Sequence, residues 1–153
     1  MENIDAMPYL TNYIGDEILN PARNTEWFPS NLKVLVAEDN PANLKVVQLV
    51  LRPFTAVFDS AENGIIALEK FKANKYDIIF MDVQMPGMNG YEATKKIRKH
   101  EIENSLNPVE IVAMTANVMK EDIEHCLEIG MNQFLGKPFE RADMIKIIRL
   151  LPS

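Results

Sequence analysis

The sequence predicts an α/β fold, a doubly wound sheet of five parallel strands. From residue 32 onward, short apolar runs alternate with segments of helical period. Such alternation implies parallel strands whose connecting helices cover both faces. Polar residues that apolar periodicity does not require stand at the ends of four runs: Glu38 and Asp39, Asp82, Thr115, and Lys137 followed by Pro138. In open sheets of this kind, sites form outside the carboxyl ends of the strands, where strand order reverses.

KVLVAED, residues 33–39, is a short apolar strand ending in two acids. Asn40 and Pro41 then open a helix, a cap residue followed by proline at the first position, with Leu44, Val47 and Leu51 on one face. TAVFDS, 55–60, is a more polar second strand suited to an edge. Residues 63–74 form a helix with Ile66, Leu68 and Phe71 inward. YDIIFMD, 76–82, is the third strand; its greasy run ends on a carboxylate, with Pro86 and two glycines close behind. Residues 89–102 form a helix with Ala93 and Ile97 inward, and 109–116 a fourth strand. A helix over 118–129 stops at Gly130, a short fifth strand lies within 131–138, and a last helix covers 140–151 along Met144, Ile147, Ile148 and Leu151.

The chain divides near residue 30. Residues 1–30 are broken by Pro8, Gly15, Pro21 and Pro29, with Leu10, Ile14 and Ile18 at helical spacing. They are expected to be a leader or linker, and 31–153 the domain. The 153-residue chain, 47% hydrophobic and 25% charged, suits one ordinary domain. Its net charge of −6 argues against binding nucleic acid or an anionic membrane. A single cysteine, Cys126, excludes an internal disulfide and is expected to be packed. No apolar run approaches the roughly 18 residues of a membrane span, and the start lacks a signal-peptide pattern. A soluble, cytoplasmic protein is the expectation. His100 and His125 are expected on helix surfaces.

The polar set has a chemistry. Three carboxylates in one crevice repel one another unless a cation sits among them. They are hard oxygen ligands, suited to Mg2+ shared with waters and a phosphate. A lysine at the rim adds a mobile positive charge for phosphate oxygens, and a threonine hydroxyl a hydrogen-bond donor. Together they suit a phosphoryl group carried on an aspartate, with Asp82 as nucleophile. Singly, each has a plainer explanation: Glu38 and Asp39 suit a helix cap, Asp82 a turn, Thr115 a strand, Lys137 a solvated surface. Their joint placement at successive strand ends is what those explanations leave out.

Residues 32 to about 151 resemble the receiver domain of two-component response regulators, through Glu38-Asp39, Asp82 in DVQMPGMNG, Thr115 in AMTAN, and Lys137-Pro138 in FLGKPF. The wording MDVQMPGMNGYEATKKIR looks most like receivers of hybrid sensor histidine kinases. The resemblance implies a flavodoxin-like strand order, 2-1-3-4-5. It implies that Asp82 accepts phosphate from a phosphohistidine on a histidine kinase or histidine phosphotransfer domain. Asp39, Asp82 and the Gln84 backbone carbonyl would hold Mg2+, with Glu38 acting through water; Glu stands where many receivers have Asp. Thr115 would turn toward the phosphate, and Phe134 would be the aromatic switch, without a tyrosine hydroxyl. Lys137 would bind the phosphate, and the Lys137–Pro138 bond would be cis. Gln84 and Asn117 would tune phosphate lifetime.

Two other classes compete. One is a phosphate hydrolase using Asp82 transiently; hydrolases of the haloacid dehalogenase type usually carry an acid where Gln84 stands. The other is a receiver-like binding module that never takes phosphate, which would be expected to lose Asp82, Lys137 or one of the acidic pair. The chain is expected to be either a stand-alone regulator or the receiver of a longer protein.

Overall fold

A computed structural model describes residues 31–151. The expectation of a leader over 1–30 lies outside the described residues. The elements are β1 (Leu32–Ala37), α1 (Pro41–Leu51), a 3-10 turn (Arg52–Phe54), β2 (Thr55–Ala61), α2 (Gly64–Ala73), β3 (Ile78–Asp82), α3 (Gly90–Glu103), β4 (Glu110–Thr115), α4 (Lys120–Glu128), β5 (Gln133–Gly136) and α5 (Arg141–Arg149). All neighbouring strands are parallel, in the order β2-β1-β3-β4-β5.

The helix starts follow from local chemistry. Asn40 is the N-cap of α1 and its side chain accepts from the N–H groups of Ala42 and Asn43. Asn89 caps α3 in a full capping box with Glu92. By contrast, α4 has no side-chain cap and begins at Lys120, two residues later than expected; Val118 and Met119 are exposed before it. A helix without a polar cap leaves its first N–H groups to water, so its end retreats.

Two apolar clusters sandwich the sheet. One face joins Val34, Val36, Ile78, Phe80 and Met114 to Val47 and Leu51 of α1 and to Met144, Ile147 and Ile148 of α5. The other joins Leu35, Ile79, Met81, Ile111 and Ala113 to Phe71 of α2, Ala93 and Ile97 of α3, and Cys126 of α4. The period of two along each strand splits its residues between the clusters. All five residues of β3 are buried, as a central strand covered on both faces must be. The polar β2 is an edge strand, as expected, and the short β5 is the other. On α2, Ala67 is wholly buried while Ile66 and Leu68 are only half-buried; the small residue faces the sheet and the larger ones flank it. His125 is exposed as expected, whereas His100 is half-buried, edge-on to the Phe71 ring with centroids 5.9 Å apart.

A polar clamp ties the amino-terminal end of β4 to its neighbours. Arg98 of α3 donates to the Gly130 carbonyl at 2.9 Å, to Glu101 Oε1 at 2.9 Å and to Asn132 Oδ1 at 2.8 Å. Glu101 Oε2 accepts from the Val109 N–H at 2.7 Å, and Asn132 Oδ1 from the Ile111 N–H at 2.8 Å.

One close approach links fold to site. A Cβ on Gly90 would run into the Asp82 carbonyl oxygen and lie 2.9 Å from the carbonyl carbon. The start of α3 therefore packs directly on the backbone of the strand end. Gly90→Ala is expected to cost about 2 kcal/mol, as overpacking against an unyielding backbone does, read by urea unfolding. Unchanged stability would mean that α3 can slide away from Asp82.

Candidate functional site

The site lies at the carboxyl edge of the sheet, and backbone hydrogen bonds carry each strand direction slightly past its end. The Glu38 N–H donates to the Ala61 carbonyl at 2.9 Å, Val83 to Met114 at 3.0 Å, and Lys137 to Thr115 at 2.7 Å. These bonds fix the residues around the predicted site at the point where β1 and β3 diverge.

Glu38 and Asp82 are each 3% exposed, whereas Asp39 beside them is exposed. Carboxylate oxygens of Glu38, Asp39 and Asp82 lie within 4.8 Å of one another. Lys137 reaches across from the far side of β4. Its Nζ donates to Asp82 Oδ2 at 2.9 Å and stands 2.9 Å from Glu38 Oε1. Asp82 Oδ1 accepts from the Gln84 N–H at 3.0 Å, and Glu38 Oε2 from the Asn40 N–H at 3.1 Å. Glu38 Oε1 is buried with no hydrogen bond; the ammonium faces it only as an ion pair.

Burial pushes the Glu38 carboxyl above the usual range, helped by the charge of Asp82 and opposed by Lys137 and the Asn40 N–H. Burial pulls the Lys137 ammonium down, but its contacts with Asp82 and Glu38 outweigh this and leave it raised. The ammonium stays charged and the crevice is an acid pair with a built-in counter-ion.

The crevice holds about 220 Å³ and is lined by Glu38, Asp39, Asn40, Asn43, Asp82, Val83, Gln84, Ala116 and Lys137. The residue set fits a divalent cation. It offers three carboxylates at mutual ligand spacing, and a buried carboxylate oxygen without a hydrogen bond.

Three of the predicted residues stand apart from this lining. Thr115 is buried, but its hydroxyl donates to the Asn117 carbonyl at 3.1 Å and accepts from the Asn117 N–H at 3.0 Å. Asn117 is exposed outside the crevice wall. Phe134 is 41% exposed, with its ring not packed away. The register places Phe134 beside Ala113 and Gly136 beside Thr115. Paired residues share a face, so Thr115 and Phe134 lie on one side of the sheet, diagonally adjacent. The Lys137–Pro138 peptide is cis, as expected. Asn43 lines the crevice and was not singled out from the sequence; its relation to the site depends on how α1 leaves the strand end.

An open parallel sheet with a cation-ready acidic crevice and a lysine at its switch point is the architecture of a phosphoryl-signalling receiver. Residues 34–149 match the family model described as the response regulator receiver domain, and the chain belongs to that family. It is 41% identical over 133 residues to "Hybrid signal transduction histidine kinase L" of Dictyostelium discoideum, which covers 84% of this chain. The chain spans 8% of that relative's length. Among solved structures, the Saccharomyces cerevisiae Ssk1 receiver domain, crystallised with the histidine phosphotransfer protein Ypd1, superposes with a TM-score of 0.75 at 35% identity, covering 80% of this chain and 89% of that one. The receiver domain of sensor histidine kinase PA1611 from Pseudomonas aeruginosa, solved with magnesium in its active-site cleft, gives 0.70 at 37% identity, covering 79% and 97%.

Removing the lysine tests the electrostatics. Lys137→Met leaves two buried acids facing each other, at a cost of about 2 kcal/mol near neutral pH. A carboxyl whose pKa is raised on folding binds its proton more tightly in the folded state. The penalty should therefore shrink as pH falls through the Glu38 titration. The lysine's own contribution, with its pKa raised, persists to alkaline pH in the parent. Urea unfolding at neutral and mildly acidic pH checks this; a penalty that grows toward acid would contradict it.

Proposed function

We propose that this chain accepts a phosphoryl group on Asp82 from a phosphohistidine and changes its partner-binding surface in response. The observation that carries the proposal is the Asp82 carboxylate, 3% exposed at a strand end, 2.9 Å from the Lys137 ammonium and grouped with two further acids. Asp82 attacks phosphorus; the new P–O bond forms as the P–N bond breaks and the imidazole leaves with its electron pair. Lys137 is already seated beside the attacking carboxylate and can follow the charge onto a phosphoryl oxygen. Asp39, Asp82 and the Gln84 carbonyl are the residues that would hold Mg2+, with Glu38 acting through a water. Bound there, Mg2+ supplies Lewis-acid neutralisation of the phosphoryl oxygens.

The switch works through Thr115. To reach the phosphoryl group its hydroxyl must give up both bonds to Asn117, which frees the loop over 116–119. Phe134, on the same face, turns inward from its exposed position. The surface around α4, β5 and α5 then differs for partners. Gln84, on the crevice wall, and Asn117, just outside it, are neutral amides that hydrogen-bond water but do not act as bases near neutral pH. Self-dephosphorylation is accordingly slow to moderate, and Gln84→Ala changes it by about tenfold, or roughly 1.4 kcal/mol of barrier.

The partner is a histidine kinase or histidine phosphotransfer domain, a choice supported by the complex of the yeast receiver. The kinship with hybrid kinases supports the chain's being the receiver portion of such a protein, working in the cytoplasm and catalysing only its own phosphorylation and dephosphorylation. Among the described residues, no helix is long and apolar enough to cross a membrane.

Incubation with a small phosphodonor and Mg2+, followed by intact mass, is the test. The parent is expected to gain one phosphoryl group and Asp82→Asn none, with both folded. Steady turnover of phosphoesters would replace this function with a hydrolase, and no mass gain with a module that only binds. Asp39→Ala is expected to weaken Mg2+ binding strongly and to stabilise the cation-free protein by easing carboxylate repulsion. An unchanged Mg2+ titration would count against the site.

A further inference from the structure

Asn43 lines the acidic crevice with an uncharged amide whose presence neither the helix nor the core explains. It is the third residue of α1, where a longer acid or amide would ordinarily reach back to the N-cap N–H. That role is already filled: the Asn40 N–H is bound by Glu38 Oε2 at 3.1 Å. The first turn is otherwise closed, since Asn40 Oδ1 takes the N–H groups of Ala42 at 2.8 Å and Asn43 at 3.1 Å, and the Asn40 carbonyl takes that of Leu44 at 3.0 Å. The α1 terminus therefore offers no free backbone donor among these groups, and the Asn43 side chain has no hydrogen-bond partner among the described residues. Asparagine is also a weaker helix former than alanine. A half-buried amide on a crevice wall, unused by its own helix, is available to something in the crevice.

We infer that Asn43 is a positioning residue for the cation held by the acids, hydrogen-bonding a water in its coordination sphere. The inference rests on the cation site of the proposed function. Three carboxylates already supply the charge, so a neutral amide adds little as a direct ligand. Mg2+ sheds its waters reluctantly and keeps several when bound by a few protein oxygens. Those waters are strong donors, and each needs an acceptor. Lys137 offers none, and the side-chain acceptors on the wall are the carboxylates themselves and the amides of Asn40, Asn43 and Gln84, of which Asn40 Oδ1 already takes two backbone N–H groups. An acceptor at Asn43 orders the α1 side of the shell, as outer partners of metal ligands do elsewhere.

Calorimetric titration of Mg2+ into the full chain tests this without phosphorylation. Asn43→Ala is expected to raise the Kd about tenfold, the lower end of the effect of losing such a partner. Thermal unfolding in chelator should stay at or above that of the parent, because alanine suits the helix. Asn43→Asp keeps an acceptor oxygen and adds charge, and is expected to bind as tightly as the parent or more so. A Kd for Asn43→Ala within about twofold of the parent's overturns the inference. So does equal weakening by both variants, which would mark a packing role. Asp39→Ala run alongside separates the two levels. If it abolishes binding while Asn43→Ala is silent, only the role of Asn43 falls. If it binds Mg2+ like the parent, the cation site falls and the inference with it.

Discussion

The placing of one ammonium governs this molecule. Glu38 and Asp82 are buried at adjacent strand ends, and neither would tolerate the other's charge alone. Lys137 sits 2.9 Å from both, so the crevice folds as a compensated group. The lysine arrives from β5, two strands away from β3 in the sheet. Its reach therefore requires the strand order, the short β5 and the Lys137–Thr115 backbone bond to be in place together. Charge neutrality at one point thus depends on the assembly of most of the sheet.

That dependence ties stability to chemistry. The lysine is held by one oxygen of Glu38 and one of Asp82, and under the proposed function a phosphoryl group on Asp82 would compete for the second of these contacts. Asp82 Oδ1 is additionally held by the Gln84 N–H, which folds the loop after β3 back on the strand end. Both Asp82 oxygens are thus oriented in advance, which under the proposed function would lower the entropic cost of the reactive geometry.

Much of this was legible in the sequence because β3 is buried on both faces. A short apolar run that stops abruptly on an acid reads as a strand end, and β3 does end at Asp82. Asn40-Pro41 marked the start of α1 for the same kind of local reason. The strand order was different: periodicity is silent about which strands neighbour one another, and it came from the resemblance. What the residue pattern hid was whatever depends on direction in space. Nothing in its spacing said that Ala67, rather than Ile66 or Leu68, meets the sheet, because a close helix–sheet contact selects the small residue. Thr115 was placed at the right strand end, but its hydroxyl bonds its own loop, a local choice that competes with any distant partner. Asn43 escaped notice because a residue four beyond the acids matters only once the first turn of α1 is known to lie along the crevice.

The clamp built on Arg98 gives the domain a stiff end and a soft end. Five hydrogen bonds from or around its guanidinium gather α3, the start of β4 and the approach to β5 at the edge remote from the acids. At the opposite edge, among the described residues, the loop after β4 is held to Thr115 by the two bonds of its hydroxyl. A disturbance that reaches this loop has two hydrogen bonds to break and meets a firm anchor below. β4 itself is paired on both sides up to Met114 and Thr115, so the part of this edge free to yield is the exposed loop over 116–119, a hinged flap on a strand that stays at rest.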